Sequence, residues 1–113
     1  MILKEIISQL GLKILTEVGQ LEKEVTGGYT SDLLSDVIAH SREGNLWITL
    51  QTHPNIVAVA RLKDLAAIII VHDRQPEAET RLKAMEEKIP LLGTQDNSFV
   101  ISGRLYQLLA KKE

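Results

Sequence analysis

The run Ala66-Ala67-Ile68-Ile69-Ile70-Val71 narrows the possible folds more than any other stretch of the chain. Stiff β-branched side chains favour a pleated strand over a helix. An apolar run with no polar alternation suits a parallel strand covered on both faces, so helices are expected above and below it. Polar His72-Asp73-Arg74-Gln75-Pro76 closes the run. The spacing then predicts a helix over 77–88 that buries Ala78, Leu82 and Met85 and pairs Glu77 with Arg81 and Glu79 with Lys83 across one turn.

Two similar units flank this one. Leu46 to Leu50 reads as a strand, and Pro54 suits the first turn of the helix that follows it. Ile89-Pro90-Leu91-Leu92 reads as a short strand, followed by a closing helix over Ser98 to Lys111 with Ile101, Leu105 and Leu108 inward and Lys111 and Lys112 at its carboxyl end. Three strand-then-helix units at 46–62, 67–88 and 91–111 predict an α/β fold in three layers. Its central sheet is expected to be mixed, partly parallel, with helices on both faces.

The amino-terminal third is less regular. Ile2, Leu3, Ile6, Ile7 and Leu10 share one helical face and Gly11 stands at the stop position. Lys13 to Thr16 reads as a short strand, and another is expected through Glu24-Val25 toward the pair Gly27-Gly28. Beyond the pair, Ser31 or Asp32 can cap a helix with Leu33, Leu34, Val37 and Ile38 on its buried stripe. Residues Ile56-Val57-Ala58-Val59-Ala60 are apolar nearly all round, which calls for deep burial or a second chain. A homodimer using Ile56, Val57 and Val59 is the expectation.

Thr26-Gly27-Gly28-Tyr29-Thr30-Ser31-Asp32, together with Leu46 to Asn55, resembles the DRTGG domain, a small α/β module found alone or beside CBS domains and phosphotransacetylase-like enzymes. The resemblance runs from about Leu12 to Leu109. It implies a stand-alone regulatory module, similar in fold to the amino-terminal domain of HPr kinase/phosphorylase but without the kinase domain. It also implies a partner enzyme or sensor protein. Where the family name spells Asp-Arg-Thr-Gly-Gly, this chain has Glu24-Val25-Thr26-Gly27-Gly28, so the planar arginine cation that could grip an anion is missing.

The size of 113 residues fits one domain spanning 1–113, and no repeat or linker-like stretch divides it. A formal charge of −2 argues against a nucleic-acid polymer as partner. No cysteine is present, which excludes thiolate catalysis and disulfides, and no apolar run approaches membrane-spanning length. A cytoplasmic protein is expected. No Gly-x-x-x-x-Gly-Lys pattern and no arrangement of serine, histidine and acid stands out, so neither an enzyme nor a cofactor is expected.

Ligands of open α/β sheets bind beyond the carboxyl ends of the strands. The candidate ligand residues are therefore Thr52, His53 and Asn55 after the first central strand, Asp73 after the second and Thr94 after the third. Thr26, Gly27, Gly28 and Tyr29 are expected to close the site from a neighbouring loop. A small-ligand sensor that binds a nucleotide or other phosphorylated metabolite at these polar loops is the alternative function, and backbone amides near the glycine pair could cradle a phosphate. Turn formation and helix capping are the competing role for the same polar residues. His53, His72 and Asp73 lack a short metal-ligand spacing, and no metal is expected.

Overall fold

The computed structural model describes residues 1–111. In chain order the elements are α1 (Leu3–Leu10), β1 (Lys13–Ile14), β2 (Gly27–Thr30), α2 (Leu34–His40), β3 (Asn45–Thr49), α3 (Asn55–Lys63), β4 (Ala67–Ile70), α4 (Ala78–Glu87), β5 (Leu91–Gly93) and α5 (Ser98–Ala110). The expected α/β architecture is present. One five-stranded sheet has the order β1-β5-β4-β3-β2, with β2 through β5 parallel and β1 antiparallel to β5. The apolar run forms β4 at the centre of the sheet, every residue of it buried.

Because β2, β3, β4 and β5 are sequential neighbours, right-handed crossovers put α2, α3 and α4 on one face. There Val37, Ile56, Ala60 and Ala84 pack on Trp47, Ile68 and Ile70. On the other face Leu3 and Ile6 of α1 and Ile101 and Leu105 of α5 pack on Leu46, Ile48, Ile69 and Leu92. Alternation along β3 and β4 supplies both cores from the same two strands.

Four details depart from the sequence reading. First, Gly27 and Gly28 do not form a turn before a helix; they open β2 itself, at an edge of the sheet. Second, Asp32 does not cap α2: its Oδ1 accepts from Thr49 Oγ1 at 2.9 Å and Leu50 N at 2.8 Å, tying the chain to the end of β3. The helix starts late, and of its proposed stripe Val37 is buried and Leu34 partly so, while Leu33 and Ile38 are exposed. Third, α4 is rotated. Thr80 Oγ1 donates to the Thr52 carbonyl at 2.7 Å, and the small Thr80 and Ala84 face inward, leaving Ala78, Leu82 and Met85 exposed. Fourth, Ile56, Val57 and Val59 are buried within this one chain, with at most 6% of their surface accessible. Contact with α2 and α4 covers α3 on the sides the sheet does not, so these residues offer a second chain nothing to hold. The expected Lys112 lies outside the described residues, and α5 ends at Ala110.

Candidate functional site: a groove between the edge strand and the last helix

Helix α5 lies along β2 in the opposite direction. Thr30 Oγ1 and Ser102 Oγ are 2.7 Å apart at one end, and Gly28 meets Leu105 further along. A Cβ at Gly28 would stand 2.8 Å from Leu105 Cδ2, so the glycine is there for the approach of the helix. Its backbone is not in the left-handed region. Asn97 starts the helix by accepting from Val100 N at 2.8 Å.

Between strand and helix runs an open groove of about 560 Å³. Ile48, Leu105 and Leu109 make its floor, the Thr26-Gly27-Gly28 backbone and Thr30 one wall, and Ser102, Tyr106 and Ala110 the other. Among the described residues, no charged side chain lines it. Recognition there rests on apolar contact, hydroxyls, a phenol ring and the free edge of β2, and the lining residues include no cation to form an ion pair with a phosphate.

The nine residues proposed from sequence fall into three places. Thr26, Gly27 and Gly28 line the groove, at the end of the sheet where the parallel strands begin. Thr52, His53, Asn55, Asp73 and Thr94 lie at the opposite end, beyond the strands' carboxyl termini. Tyr29 points to the other face and donates its phenol to Asp36 Oδ2 at 2.9 Å. The glycine pair therefore does not close the loop site, because β2 enters the sheet with the glycines and leaves it with Thr30 and Ser31.

The carboxyl-edge loops do gather. The Thr52 carbonyl accepts from Glu77 N at 3.2 Å and Asp73 N donates to the Thr94 carbonyl at 2.8 Å, linking three loops in a row. Three of their side chains are engaged locally or by β1: His53 Nδ1 accepts from Asn55 N at 3.1 Å, Thr94 Oγ1 from Asp96 N at 3.2 Å, and Asp73 pairs with Lys13 at 3.3 Å. His72 and Asp73 adopt left-handed backbone, φ 60° and 55°, uncommon for residues other than glycine. Among the described residues no three of His, Cys, Asp and Glu converge as metal ligands, and no helix is long and apolar enough to cross a membrane.

Behind β2, Asp36 also sits 3.0 Å from His40 Nδ1. Hydrogen bonds from Ser31, then Tyr29, hold the Asp36 carboxyl below its ordinary 3.8, and the bond to Asp36 raises the Tyr29 phenol above its ordinary 10.0. For Tyr29 the stabilising bond is fully present below pH 10 and is lost as pH rises through the raised value. For Asp36 it is present above about pH 3.8 and lost as pH falls through the lowered one. In a Tyr106→Phe background Tyr29 is the sole tyrosine. Tyrosinate absorbance should then show Asp36→Asn bringing its midpoint back toward 10.0; an unmoved midpoint would contradict the contact.

Sequence reasoning missed Ser102, Tyr106, Leu109 and Ala110. One signal was available: of the 13 residues of α5 only Arg104 is charged, too few for a helix with one solvated face.

Fold and groove together define a three-layer α/β domain with an uncharged cleft beside its edge strand. Among solved structures it is similar to the CBS and DRTGG domains of the regulatory region of Clostridium perfringens pyrophosphatase, solved in complex with an activator, diadenosine tetraphosphate, at a TM-score of 0.71 and 17% identity. The match covers 91% of this chain and 44% of that one, so the chain spans less than half of its neighbour's length. No family model matches the chain, and no curated protein does.

Proposed function

We propose that this chain is a non-catalytic, cytoplasmic regulatory module, one DRTGG-like domain that acts by contacting partner proteins through the β2–α5 groove. The observation that carries the reading is the uncharged lining beside a free strand edge. An extended peptide segment can add backbone hydrogen bonds to such an edge while its side chains enter the cleft. The likeness in fold to a regulatory region supports the regulatory part.

The test is selection from a displayed library of random peptides. Uncharged, extended sequences should be enriched, and Ser102→Lys, which sets a cation in the groove, should abolish their binding while leaving the circular dichroism spectrum unchanged. Enrichment that survives Ser102→Lys, or turnover of any substrate by the purified chain, would reject the reading.

A second reading, a nucleotide sensor at the carboxyl-edge loops, is favoured by the gathering of those loops and by the nucleotide bound to the pyrophosphatase region. Diadenosine tetraphosphate, ATP and AMP are the probes. A rise in melting temperature with one of them that disappears in Asp73→Ala/Thr94→Ala would support this reading over the first.

A further inference from the structure

The edge of β2 resolves into individual backbone groups. Ala66 N and Val71 N donate to the Asn45 and Thr49 carbonyls at 2.9 and 3.1 Å, so the odd-numbered groups of β3 face β4 and those of Leu46 and Ile48 face β2. Ser31 N donates to the Ile48 carbonyl at 3.2 Å, and the register sets Tyr29 opposite Trp47, which turns the backbone of Tyr29 and Gly27 toward β3. Alternation leaves the N–H and C=O of Gly28 and Thr30 pointing away from the sheet. Among the described residues no hydrogen bond reaches these four groups.

Side chains alternate as well. Thr30 meets Ser102, and a Cβ on Gly28 would meet Leu105, both on α5; Tyr29 reaches Asp36 on the opposite face. The outward backbone pairs therefore belong to the two residues that face the groove. Any residue paired with either one sends its side chain the same way, into the cleft of about 560 Å³.

Building on the peptide-binding reading, we propose that the bound segment is an antiparallel strand in one register: a β-branched residue opposite Thr30, then any residue, then a large apolar or aromatic residue opposite Gly28. An antiparallel partner closes all four bonds with two residues, one exchanging both bonds with Thr30 and the other with Gly28. A parallel partner uses the residues on either side of each, and must order about five residues instead of about three, a larger loss of backbone entropy. The wall sets the side chains. Gly28 leaves room for a ring that covers it and lies against Leu105 and Tyr106. Opposite Thr30 the joined hydroxyls of Thr30 and Ser102 narrow the cleft, and a β-branched cross-strand neighbour suits that position.

Two capped heptapeptides titrated calorimetrically into the full chain test the register, one centred on valine-serine-phenylalanine and the other on the reverse order. The first should bind about tenfold more tightly or better. N-methylation of its valine or phenylalanine removes the N–H that pairs with Thr30 or Gly28 and should weaken binding about tenfold, whereas N-methylation of the central serine, whose N–H points outward, should change it by less than about twofold. Thr30→Pro deletes an N–H that serves no bond to β3, and should abolish binding while the circular dichroism spectrum is kept. Equal binding of the two peptides, or indifference to N-methylation at valine and phenylalanine, would overturn the proposal. If Ser102→Lys still abolishes such binding, the groove reading stands and the strand register alone is rejected. Binding of neither peptide also rejects the register, and with it the partner reading when the displayed library yields nothing either.

Discussion

Trp47→Ala is expected to be the most damaging single substitution, lowering stability by about 4 kcal/mol. Trp47 is the only tryptophan and is fully buried in β3 beneath the helices of one face. Its removal opens a cavity that Val37, Ile56 and Ile68 can fill only by leaving their own contacts, and it strips the Ser31 carbonyl of the indole N–H that reaches it at 2.8 Å. In a domain whose total stability is about 5–15 kcal/mol, that is a large share. At roughly 4 °C per kcal/mol the melting temperature should fall by about 15 °C, read by far-ultraviolet circular dichroism because the fluorophore itself is lost. Trp47→Phe keeps most of the volume but not the N–H, and should cost about 1–2 kcal/mol. A Phe variant as damaged as the Ala variant would mean that the hydrogen bond, not the cavity, dominates.

Gly44→Ala should be the next largest, at about 3 kcal/mol, though it adds a single methyl group. Two causes act together. Gly44 has φ +83°, a backbone that L side chains resist, and its new Cβ would lie 2.7 Å from Thr26 Cγ2 and 2.9 Å from Thr26 Oγ1. Thr26 cannot yield: Oγ1 donates to the Glu43 carbonyl at 2.7 Å and accepts from Asn45 Nδ2 at 3.1 Å, and its N–H reaches the Gly44 carbonyl at 3.0 Å. Adding Thr26→Ala removes the two nearest atoms but not the backbone strain. Chemical denaturation should therefore give a double variant about 1–2 kcal/mol better than the sum of the singles. Strict additivity would show that the conformation alone sets the cost. Gly28→Ala is a contrasting case, since the atom it meets is the far end of a flexible leucine and can turn aside.

The order of the elements was legible where local chemistry and packing agree. β4 needed no tertiary information, because a β-branched run covered on both faces has few other places to go. Gly11 ends α1 in left-handed backbone, φ 64°, as its position after the apolar stripe implies. The errors lie where one pattern is consistent with two environments. Helix α4 carries both the small pair Thr80 and Ala84 and the larger Leu82 and Met85, and hydrophobicity alone favours the larger set; the carbonyl of Thr52, 28 residues away, turns the helix the other way.

The apolar helix said to need a second chain shows the same limit. For α3 the requirement is met within the chain, because sheet, α2 and α4 enclose Ile56, Val57 and Val59. For α5 it is not met, because the helix covers β2 and β3 at the sheet's edge and, among the described residues, no further layer lies beyond it. Periodicity reports that a surface is apolar and is silent on what covers it.

Composition and period alone establish a layered α/β chain with a doubly covered central strand and no thiol chemistry, since burial of β-branched residues and the absence of cysteine are local facts. The place of the glycine pair on an edge strand, the rotation of α4, the separation of the groove from the polar loops and the bare outer side of α5 come from the assembled molecule. Each depends on which distant segment arrives beside which. Strand order and helix approach are set by the sum of many long-range contacts, a quantity that no window of neighbouring residues contains.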